Sequence, residues 1–417
     1  MLTVDAVSGL RDSVAVVSEV AARHVQTCED EFRLAPEVAE ALTQAGFPRQ
    51  FVPKRWGGRA GGFGELVQSV ADLGESCASA AWCAALFAAH GRLASYLPEQ
   101  AQYALWADGP DTRIAAAVIP PAGTAEPAAD AGSEVGSGAG SGAGSEVGGG
   151  VGSTAAGVAA QAGAAGWRLS GRWNLASGVD HADWILLASW TPGPSGPEHR
   201  IFLLPRASCT VLDTWRSSGL RGTGSNSVVV DRVFVPAHRT MVLADLLRPR
   251  TSADGEEVAR CHQVPFPMVA ALIFAAPVLG AAGGALDAWS AALRAKAAAG
   301  GPGPSPAVQQ TLARAGGEIH AAELLLTQSA RSADGGPMDA YTVTGIQRDV
   351  ALAVELLVDA VERIFRAGGS STQTQLNPIQ VRWRDVHAAA SHGTLNFEAA
   401  ASRYAAVRFP VEADSTG

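Results

Sequence analysis

Two histidines lie close together near the C-terminal end of the chain, in the stretch RWRDVHAAASHGTLN (382–396). Imidazole changes charge near neutral pH, so it suits general acid or base catalysis. On a helix, the five-residue spacing of His387 and His392 turns the two rings apart, unlike the i,i+4 pair that shares a metal. We therefore interpret His387 as a hydrogen-bonded structural residue. His392, where the helix should end, is a candidate general acid or base pointing into a cavity.

A serine and a glycine occupy a turn in GRWNLASGVDHADW (171–184). Ser177 and Gly178 follow a predicted strand and precede a polar turn. The serine hydroxyl and the neighbouring amides are placed to face a ligand, although an ordinary hairpin with a serine in its turn explains the same pattern.

Two glycine-rich stretches are candidates for holding a phosphate or a flat ring. The first, GLRGTGSNSVVV (219–230), places Arg221 among small residues whose backbone amides can approach a ligand closely. It matches neither the P-loop nor the Rossmann fingerprint. The second, FRAGGSSTQTQLNP (365–378), ends a predicted helix at Gly368 and Gly369. Those glycines either cap the helix or expose amides to a pyrophosphate.

Composition excludes several classes of protein. The net charge of −9 and the absence of a Lys/Arg cluster argue against nucleic-acid binding. Five scattered cysteines without CxxC spacing indicate reduced thiols rather than disulfides or a metal site. The start, MLTVDAVSGLRDSV, lacks the apolar core of a signal peptide, and we interpret the apolar run 264–282 as a buried helix. We therefore expect a soluble cytoplasmic protein with no metal and no membrane partner.

The elements that would position these residues form three regions, so the predicted fold class is α+β, mostly α. Residues 1–112 have the three-and-four spacing of amphipathic helices. Residues 113–240 contain short alternating runs bounded by turn residues, typical of an antiparallel β unit. That unit carries a Gly/Ser-rich insertion at about 122–166, which we interpret as a surface loop. Residues 241–417 return to long Ala- and Leu-rich segments with short links, which predict an antiparallel helical bundle.

This layout and several motifs resemble the acyl-CoA dehydrogenase fold. The motifs are FVPKRWGG, GRWNLASGVDHADW, a Gly-rich turn before a VFVP strand, and a GG turn before an RD dipeptide. The resemblance runs from about residue 10 to 405. It implies an N-terminal helical domain, a middle antiparallel β-barrel or sandwich domain and a C-terminal four-helix bundle. GWRLSGRWNLASGVDHADW, GLRGTGS and WRDVHAAASH are similar to the flavin-dependent monooxygenase branch. That branch contains two-component hydroxylases of phenols, dibenzothiophene monooxygenases and amino-sugar nitrososynthases.

A missing base supports this branch. Acyl-CoA dehydrogenases place a catalytic glutamate at one of two positions, which fall here at about Gly393 and near Ala270. Abstracting a proton next to a thioester needs a well-aimed base. The resemblance therefore disfavours dehydrogenation.

The resemblance also implies roles for individual residues. Ser177 would hydrogen-bond the flavin near N5 and support a flavin 4a-hydroperoxide. His392 would assist oxygen transfer as acid or base, and His90 aligns loosely with a substrate-side histidine. The implied cofactor-binding residues are Ser177, Gly178, Arg221, Gly222, Thr223, Gly224, Ser225, Phe365, Gly368, Gly369 and Ser370.

The implied activity is a two-component monooxygenase that hydroxylates an aromatic or heteroaromatic small molecule. Its cofactor would be reduced FAD, with FMN possible, supplied by a separate flavin reductase, and O₂ would be the co-substrate. The resemblance also implies a homotetramer. N- or S-oxygenation, acyl-CoA dehydrogenation and a non-catalytic flavin-binding scaffold are the alternatives left open.

Overall fold

Six helices come first in the computed structural model, which describes residues 9–129, 166–249 and 258–409. Most of them are amphipathic and bury one face, but α5 is apolar all round and lies in the interior. Its many alanines let neighbouring helices approach closely. The helices are α1 (Leu10–Arg23), α2 (Val25–Glu31), α3 (Pro36–Ala45), α4 (Phe63–Ser76), α5 (Ala78–Ala94) and α6 (Glu99–Trp106).

Eight strands follow and form two four-stranded sheets, ordered β1-β4-β5-β8 and β2-β3-β7-β6. Their facing side chains, Trp173 and Phe202 among them, form a core between the sheets. The strands are β1 (Ile114–Ala117), β2 (Thr124–Ala128), β3 (Gly166–Ala176), β4 (Trp184–Gly193), β5 (Gly196–Pro205), β6 (Thr210–Leu212), β7 (Asn226–Pro236) and β8 (Thr240–Val242).

Two details of the β region differ from the sequence-based expectation. β1 pairs with β4 in parallel, because the chain between them passes through the other sheet. β2 pairs with β3, so Thr124–Ala128 belongs to a sheet although it falls inside the insertion predicted at about 122–166. The remainder of that insertion, residues 130–165, lies outside the described residues.

The C-terminal region is helical again, as predicted. Side chains of Ser305, Asp339, Asn377 and Asn396 accept hydrogen bonds from the first turns of four helices, which fixes where those helices begin. The helices are α7 (Arg260–Gln263), α8 (Phe266–Ala298), α9 (Pro306–Gly335), α10 (Ala340–Ala367), α11 (Pro378–Ala390) and α12 (Phe397–Arg408). The mostly α, α+β prediction is confirmed.

α8 is the central helix of this region and packs against α4, α5, α9, α10 and α11. Its length and hydropathy would allow it to cross a membrane, but 83% of its most apolar window is buried inside the fold. The apolar run 264–282 therefore corresponds to a buried helix, as its sequence predicts. α5, α8 and α11 meet beside the turn that precedes β7, and this junction positions the candidate site.

Candidate active site

Three buried hydroxyl groups meet where β3 ends and β7 begins. The two strands are antiparallel, and the pairing of Ala176 with Asn226 places Ser177 beside Ser225. Ser177 Oγ lies 2.7 Å from Ser225 Oγ, which lies 2.7 Å from Thr223 Oγ1. Thr223 Oγ1 is also 2.9 Å from the carbonyl oxygen of Leu220. Ser177, Ser225 and Thr223 are called the hydroxyl chain below.

Backbone conformation sets the two ends of the hydroxyl chain. Gly178 has φ +71°, in the left-handed region that favours glycine, and its N–H donates to Thr223 O at 2.8 Å. This bond joins the turn after β3 to the turn before β7. The backbone of Ser177 and Gly178 therefore lies beside the turn 221–225, and the cofactor-binding role of these residues stays a prediction.

Three aromatic rings pack together beside Ser177, and one of them bonds to it. Trp82 Nε1 on α5 donates to Ser177 Oγ at 3.3 Å. Phe274 on α8 stacks on His392, with ring centroids 3.8 Å apart and an interplanar angle of 24°. Trp82 lies 5.1 Å from Phe274 and 6.0 Å from His392. Trp82, Phe274 and His392 are called the aromatic box.

The surroundings of His392 define its charge and its tautomer. Burial among apolar groups lowers the pKa of His392, which favours the neutral ring. His392 caps the short turn Gly393–Leu395, and its Nδ1 accepts the N–H of Thr394 at 3.3 Å. A neutral imidazole that accepts at Nδ1 carries its proton on Nε2. His392 therefore presents a hydrogen-bond donor at Nε2.

The RD dipeptide of α11 holds the Gly-rich turn in place. Asp385 Oδ1 accepts the N–H of Leu220 at 2.6 Å, and Arg384 donates to Ser218 O. Arg384 also pairs with buried Glu29 at 2.6 Å. A Cβ on Gly219 would lie 2.1 Å from Arg384 O, so only glycine fits between the turn and α11.

Asp385 is fully buried, and burial raises its pKa to about 7. Its hydrogen bond from Leu220 and the nearby guanidinium of Arg384 act in the opposite direction.

Arg221 points away from the hydroxyl chain. Its guanidinium lies 3.7 Å from Glu29 and 5.1 Å from the ring centroid of Phe32. Its Nε donates to Ser217 O at 3.3 Å. In this structure Arg221 therefore fixes the Gly-rich turn to α2.

The GG turn lies at a different place on the surface. Gly369 and Ser370 are exposed, and Gly369 has φ +68°. Among the described residues, hydrogen bonds of this segment run to its own helices, as from Thr372 Oγ1 to Phe365 O at 3.0 Å. Gly368 continues the end of α10, where its N–H donates to Ile364 O at 2.9 Å. The structure does not bring Gly368, Gly369 or Ser370 to the hydroxyl chain.

Phe365 belongs to a stacked ladder with Trp383 and His387. Phe365 and Trp383 are 4.6 Å apart at 18°, and Trp383 lies 4.5 Å from His387. Glu362 accepts the indole N–H of Trp383 at 2.7 Å and lies 3.6 Å from His387 Nε2. These three rings are called the surface ladder. Its contacts fit the structural role predicted for His387, whereas Phe365 is stacked within this chain.

His90 lies on α5, eight residues beyond Trp82, a separation of about 12 Å along the helix. Its Nδ1 lies 2.7 Å from Ile114 O in β1, and burial lowers its pKa to about 4. Its bond to β1 joins the helical region to the β region, and the structure does not bring it to the hydroxyl chain. A substrate-side role for His90 stays a prediction.

An apolar cavity of about 20 Å³ lies between α5 and α8. Ile273, the neighbour of Phe274, forms part of its wall, and Ala270 contributes only a methyl group. The other side chains in the wall are Phe51, Phe63, Ala89, Arg92, Leu93, Phe266 and Val269.

The sequence-based reasoning missed Trp82 and Phe274. Each is a single large ring among small or aliphatic residues, in ASAAWCAAL and ALIFAAPV. That pattern could have identified both residues, because a large ring among small side chains extends from its helix and contacts a neighbouring element. The clamping role of Arg384 and Asp385 was also missed, although the RD dipeptide was noted.

Comparisons with known proteins agree with this architecture. Residues 272–397 match the family model "Acyl-CoA dehydrogenase, C-terminal domain". The chain is 28% identical to the oxygenase component of FADH(2)-dependent resorcinol hydroxylase from Rhizobium sp. (strain MTP-10005), covering 93% of this chain and 90% of the relative. It is also 28% identical to the flavin-dependent monooxygenase oxygenase subunit HsaA of Rhodococcus jostii, over 92% and 94% of the two chains.

A solved structure, XiaF from Streptomyces sp. in complex with FADH2 and glycerol, superposes with a TM-score of 0.80 at 26% identity. The match covers 98% of this chain and 96% of that one. The fold is therefore that of the acyl-CoA dehydrogenases, and its relatives over nearly the whole length are oxygenase components. Over nearly its whole length the chain is therefore similar to oxygenase components of flavin-dependent monooxygenases, and it shares their acyl-CoA dehydrogenase fold.

Proposed function

We propose that this protein is the oxygenase component of a two-component monooxygenase that hydroxylates an aromatic or heteroaromatic small molecule. Its cofactor is reduced FAD, delivered by a separate flavin reductase, and O₂ is the co-substrate. The observation that carries the proposal is the aromatic box beside the hydroxyl chain: Trp82 bonds to Ser177 and packs near His392, a neutral imidazole that stacks on Phe274.

The residues present fit a flavin. Ser177 is nearly buried, with 9% of its surface exposed, and its hydroxyl keeps one acceptor position without a partner among the described residues. Flat rings of Trp82 and Phe274 suit an aromatic ring system. Ser177, Gly178 and the turn 221–225 would hold the ring portion. A reduced flavin bound there would supply the two electrons that activate O₂, so that one oxygen atom passes to the substrate and the other leaves as water.

The chain itself supplies positioning, dryness and a proton. Trp82 and Phe274 cover the site and exclude water, which protects reactive oxygen chemistry from hydrolysis and stray protons. His392 holds a proton on Nε2, because Nδ1 is occupied by the amide of Thr394. From that position it donates to an oxygen atom in the site and orients a phenolic substrate.

The geometry disfavours the dehydrogenase alternative. Ala270 lines the apolar cavity and Gly393 is exposed, so neither candidate position offers a carboxylate base. The buried imidazole of His392 lies stacked against Phe274 instead.

The names of similar proteins support an aromatic substrate. The small apolar cavity between α5 and α8 is lined by ring and aliphatic side chains and by Arg92, with no acidic residue among them. Relatives over most of the length are named for resorcinol and p-hydroxyphenylacetate, and one that matches half of this chain is named for indole-3-acetate; all three compounds are aromatic. We therefore propose a mono- or bicyclic phenol or indole-like substrate.

The test is product formation with isotopically labelled oxygen. The protein, a flavin reductase, NADH and FAD are incubated under oxygen-18 gas with separate panels of phenols, aryl sulfides and amino sugars. We expect one labelled oxygen atom in a ring-hydroxylated product. If the labelled oxygen appears only in a sulfoxide or a hydroxylamine, the protein catalyses S- or N-oxygenation and the proposed ring hydroxylation is wrong. A flavin bleached anaerobically by an acyl-CoA would favour dehydrogenation.

We further propose a cytoplasmic homotetramer in which the GG turn reaches the flavin of a neighbouring copy. Gly369 and Ser370 are exposed on the surface of the protein, which supports a role toward another copy. All five cysteines are buried free thiols, as suits a reducing compartment. Light scattering should give four times the chain mass. Replacing Gly369 with Val should weaken flavin binding without changing that mass.

A further inference from the structure

We propose that the hydroxyl chain fixes Ser177 as a hydrogen-bond acceptor toward the flavin, so that the site selects the reduced cofactor over the oxidised one. Thr223 and Ser225 act as positioning residues, because they determine where the Ser177 proton points. The inference rests on the proposed function, since it needs the flavin beside Ser177.

The direction of every proton in the chain follows from its last member. A backbone carbonyl can only accept, so Thr223, 2.9 Å from Leu220 O, must donate its single hydroxyl proton there. Ser225, 2.7 Å from Thr223, must then be the donor in that pair. Ser177, 2.7 Å from Ser225, must in turn donate to Ser225. The proton of Ser177 is thereby committed to Ser225.

The other end of the chain reinforces this order. The indole N–H of Trp82 is a donor only, and it occupies one of the two acceptor positions of Ser177 Oγ. The second acceptor position has no partner among the described residues. Toward a ligand, Ser177 can therefore accept a hydrogen bond but has no proton to give.

The two redox states of a flavin differ at ring atom N5, which would lie opposite the hydroxyl of Ser177. The reduced ring carries a hydrogen on N5 and donates, whereas the oxidised ring carries a lone pair there and can only accept. An acceptor opposite an acceptor leaves both groups without a partner in a buried site, which is costly. The hydroxyl chain should therefore favour the reduced ring by roughly ten-fold in affinity.

This preference would serve a two-component system. The oxygenase would capture reduced flavin from the reductase and release the oxidised ring after turnover. Oxidised flavin, present in the same solution, would compete poorly for the site.

The test compares dissociation constants rather than turnover. Under anaerobic conditions, wild type, Thr223→Val, Thr223→Ser and Ser225→Ala are each titrated with oxidised FAD and with chemically reduced FAD. Thr223→Val keeps the shape but removes the acceptor of the Ser225 proton. Ser225 can then turn toward Ser177, and the Ser177 proton becomes free for the ligand. Thr223→Ser keeps the hydroxyl and is the matched control.

We expect wild type and Thr223→Ser to share the same preference for reduced FAD. Thr223→Val and Ser225→Ala should each lower that preference by about ten-fold, mainly through tighter binding of oxidised FAD. Tighter binding of one form separates this effect from general damage to the fold, and Ser225→Ala gives an independent result if Thr223→Val fails to fold. An unchanged preference in a folded Thr223→Val or Ser225→Ala protein would overturn the inference while leaving the proposed function intact. If the wild-type protein binds neither oxidised nor reduced FAD, both this inference and the proposed function are wrong.

Discussion

His387 and His392 lie five residues apart at one end of the bundle, and each packs against an aromatic ring, but their surroundings differ. In the surface ladder, His387 lies 4.5 Å from Trp383 and 3.6 Å from the carboxylate of Glu362. In the aromatic box, His392 stacks on Phe274, and no carboxylate contributes to its pKa. Glu362 opposes the effect of burial on the pKa of His387, whereas burial acts unopposed on His392.

The difference shows that position decides the role of an imidazole more than residue type does. His387 is partly exposed and lies against Glu362 of α10, a neighbouring helix of the same bundle. His392 lies where the helical regions meet the β region, beside Trp82, which bonds to Ser177. Of the two histidines, only His392 combines an apolar environment with a position next to the candidate site.

The largest expected effect separates these two histidines. Replacing His392 with Ala should lower hydroxylation by roughly 10²–10⁴, the usual cost of losing a general acid or base. Flavin binding should persist, since the hydroxyl chain is intact. Steady-state product formation and peroxide release measure this, and peroxide should rise as product falls. His387→Ala is the matched control and should keep its turnover within a few-fold.

The second prediction concerns the hydrogen bond from Leu220 to Asp385, which joins the Gly-rich turn before β7 to α11. Asp385→Ala leaves the buried N–H of Leu220 without an acceptor, which should lower the free energy of unfolding by about 1–3 kcal/mol. Flavin affinity should fall as well, because the Gly-rich turn loses its clamp. Chemical denaturation and FAD titration measure the two effects, and full stability in the variant would contradict the role assigned to Asp385.

Asp385→Asn is the control for that variant and also tests the charge. The pKa of Asp385 is raised to about 7, so the folded chain binds more protons than the unfolded chain between about pH 4 and 7. Stability from this group therefore falls as pH rises through that window. Asn keeps an oxygen acceptor for Leu220 and should remove that part of the pH dependence.

The third prediction concerns the pH profile. Because burial lowers the pKa of His392, activity that needs the neutral ring should fall only at a pH below the ordinary value of 6.5. Phe274→Ala opens the box to water and should move this acid limb to higher pH. Rates measured between pH 5 and 8 would show the shift. A limb that stays in place would mean that another group controls it.

The smallest effect is expected at the surface ladder. Glu362→Gln removes the carboxylate that raises the pKa of His387, so that pKa should fall further while hydroxylation is unchanged. The pair is partly exposed, so stability should change by less than about 1 kcal/mol. NMR titration of the imidazole measures the pKa. A loss of hydroxylation here would erase the contrast between the two histidines.

Local signals predicted the three-region order and the neighbours within one turn. Alternation and three-and-four spacing are short-range properties, so the β region and the bundle could be predicted from the residues themselves. Ser177 and Gly178 were found because a turn after a strand exposes its residues. The pairing of β3 with β7, which joins Ser177 to Ser225, is long-range and was not predicted.

Contacts between distant elements could not be predicted for the same reason. Nothing near Trp82 in the sequence indicates that its indole meets a serine 95 residues away. Arg221 looked free in its loop because Glu29, its partner on α2, is far along the chain. The parallel pairing of β1 with β4 likewise depends on where the intervening strands pack.

The most direct test of the account is anaerobic stopped-flow mixing of the protein and reduced FAD with oxygenated buffer, recorded by absorbance. We expect the protein-bound flavin to return to the oxidised state more slowly than free FAD and in more than one phase, with an aromatic substrate suppressing peroxide release. Reoxidation at the rate of free flavin, with all the oxygen recovered as peroxide, would contradict the assignment of this chain as an oxygenase.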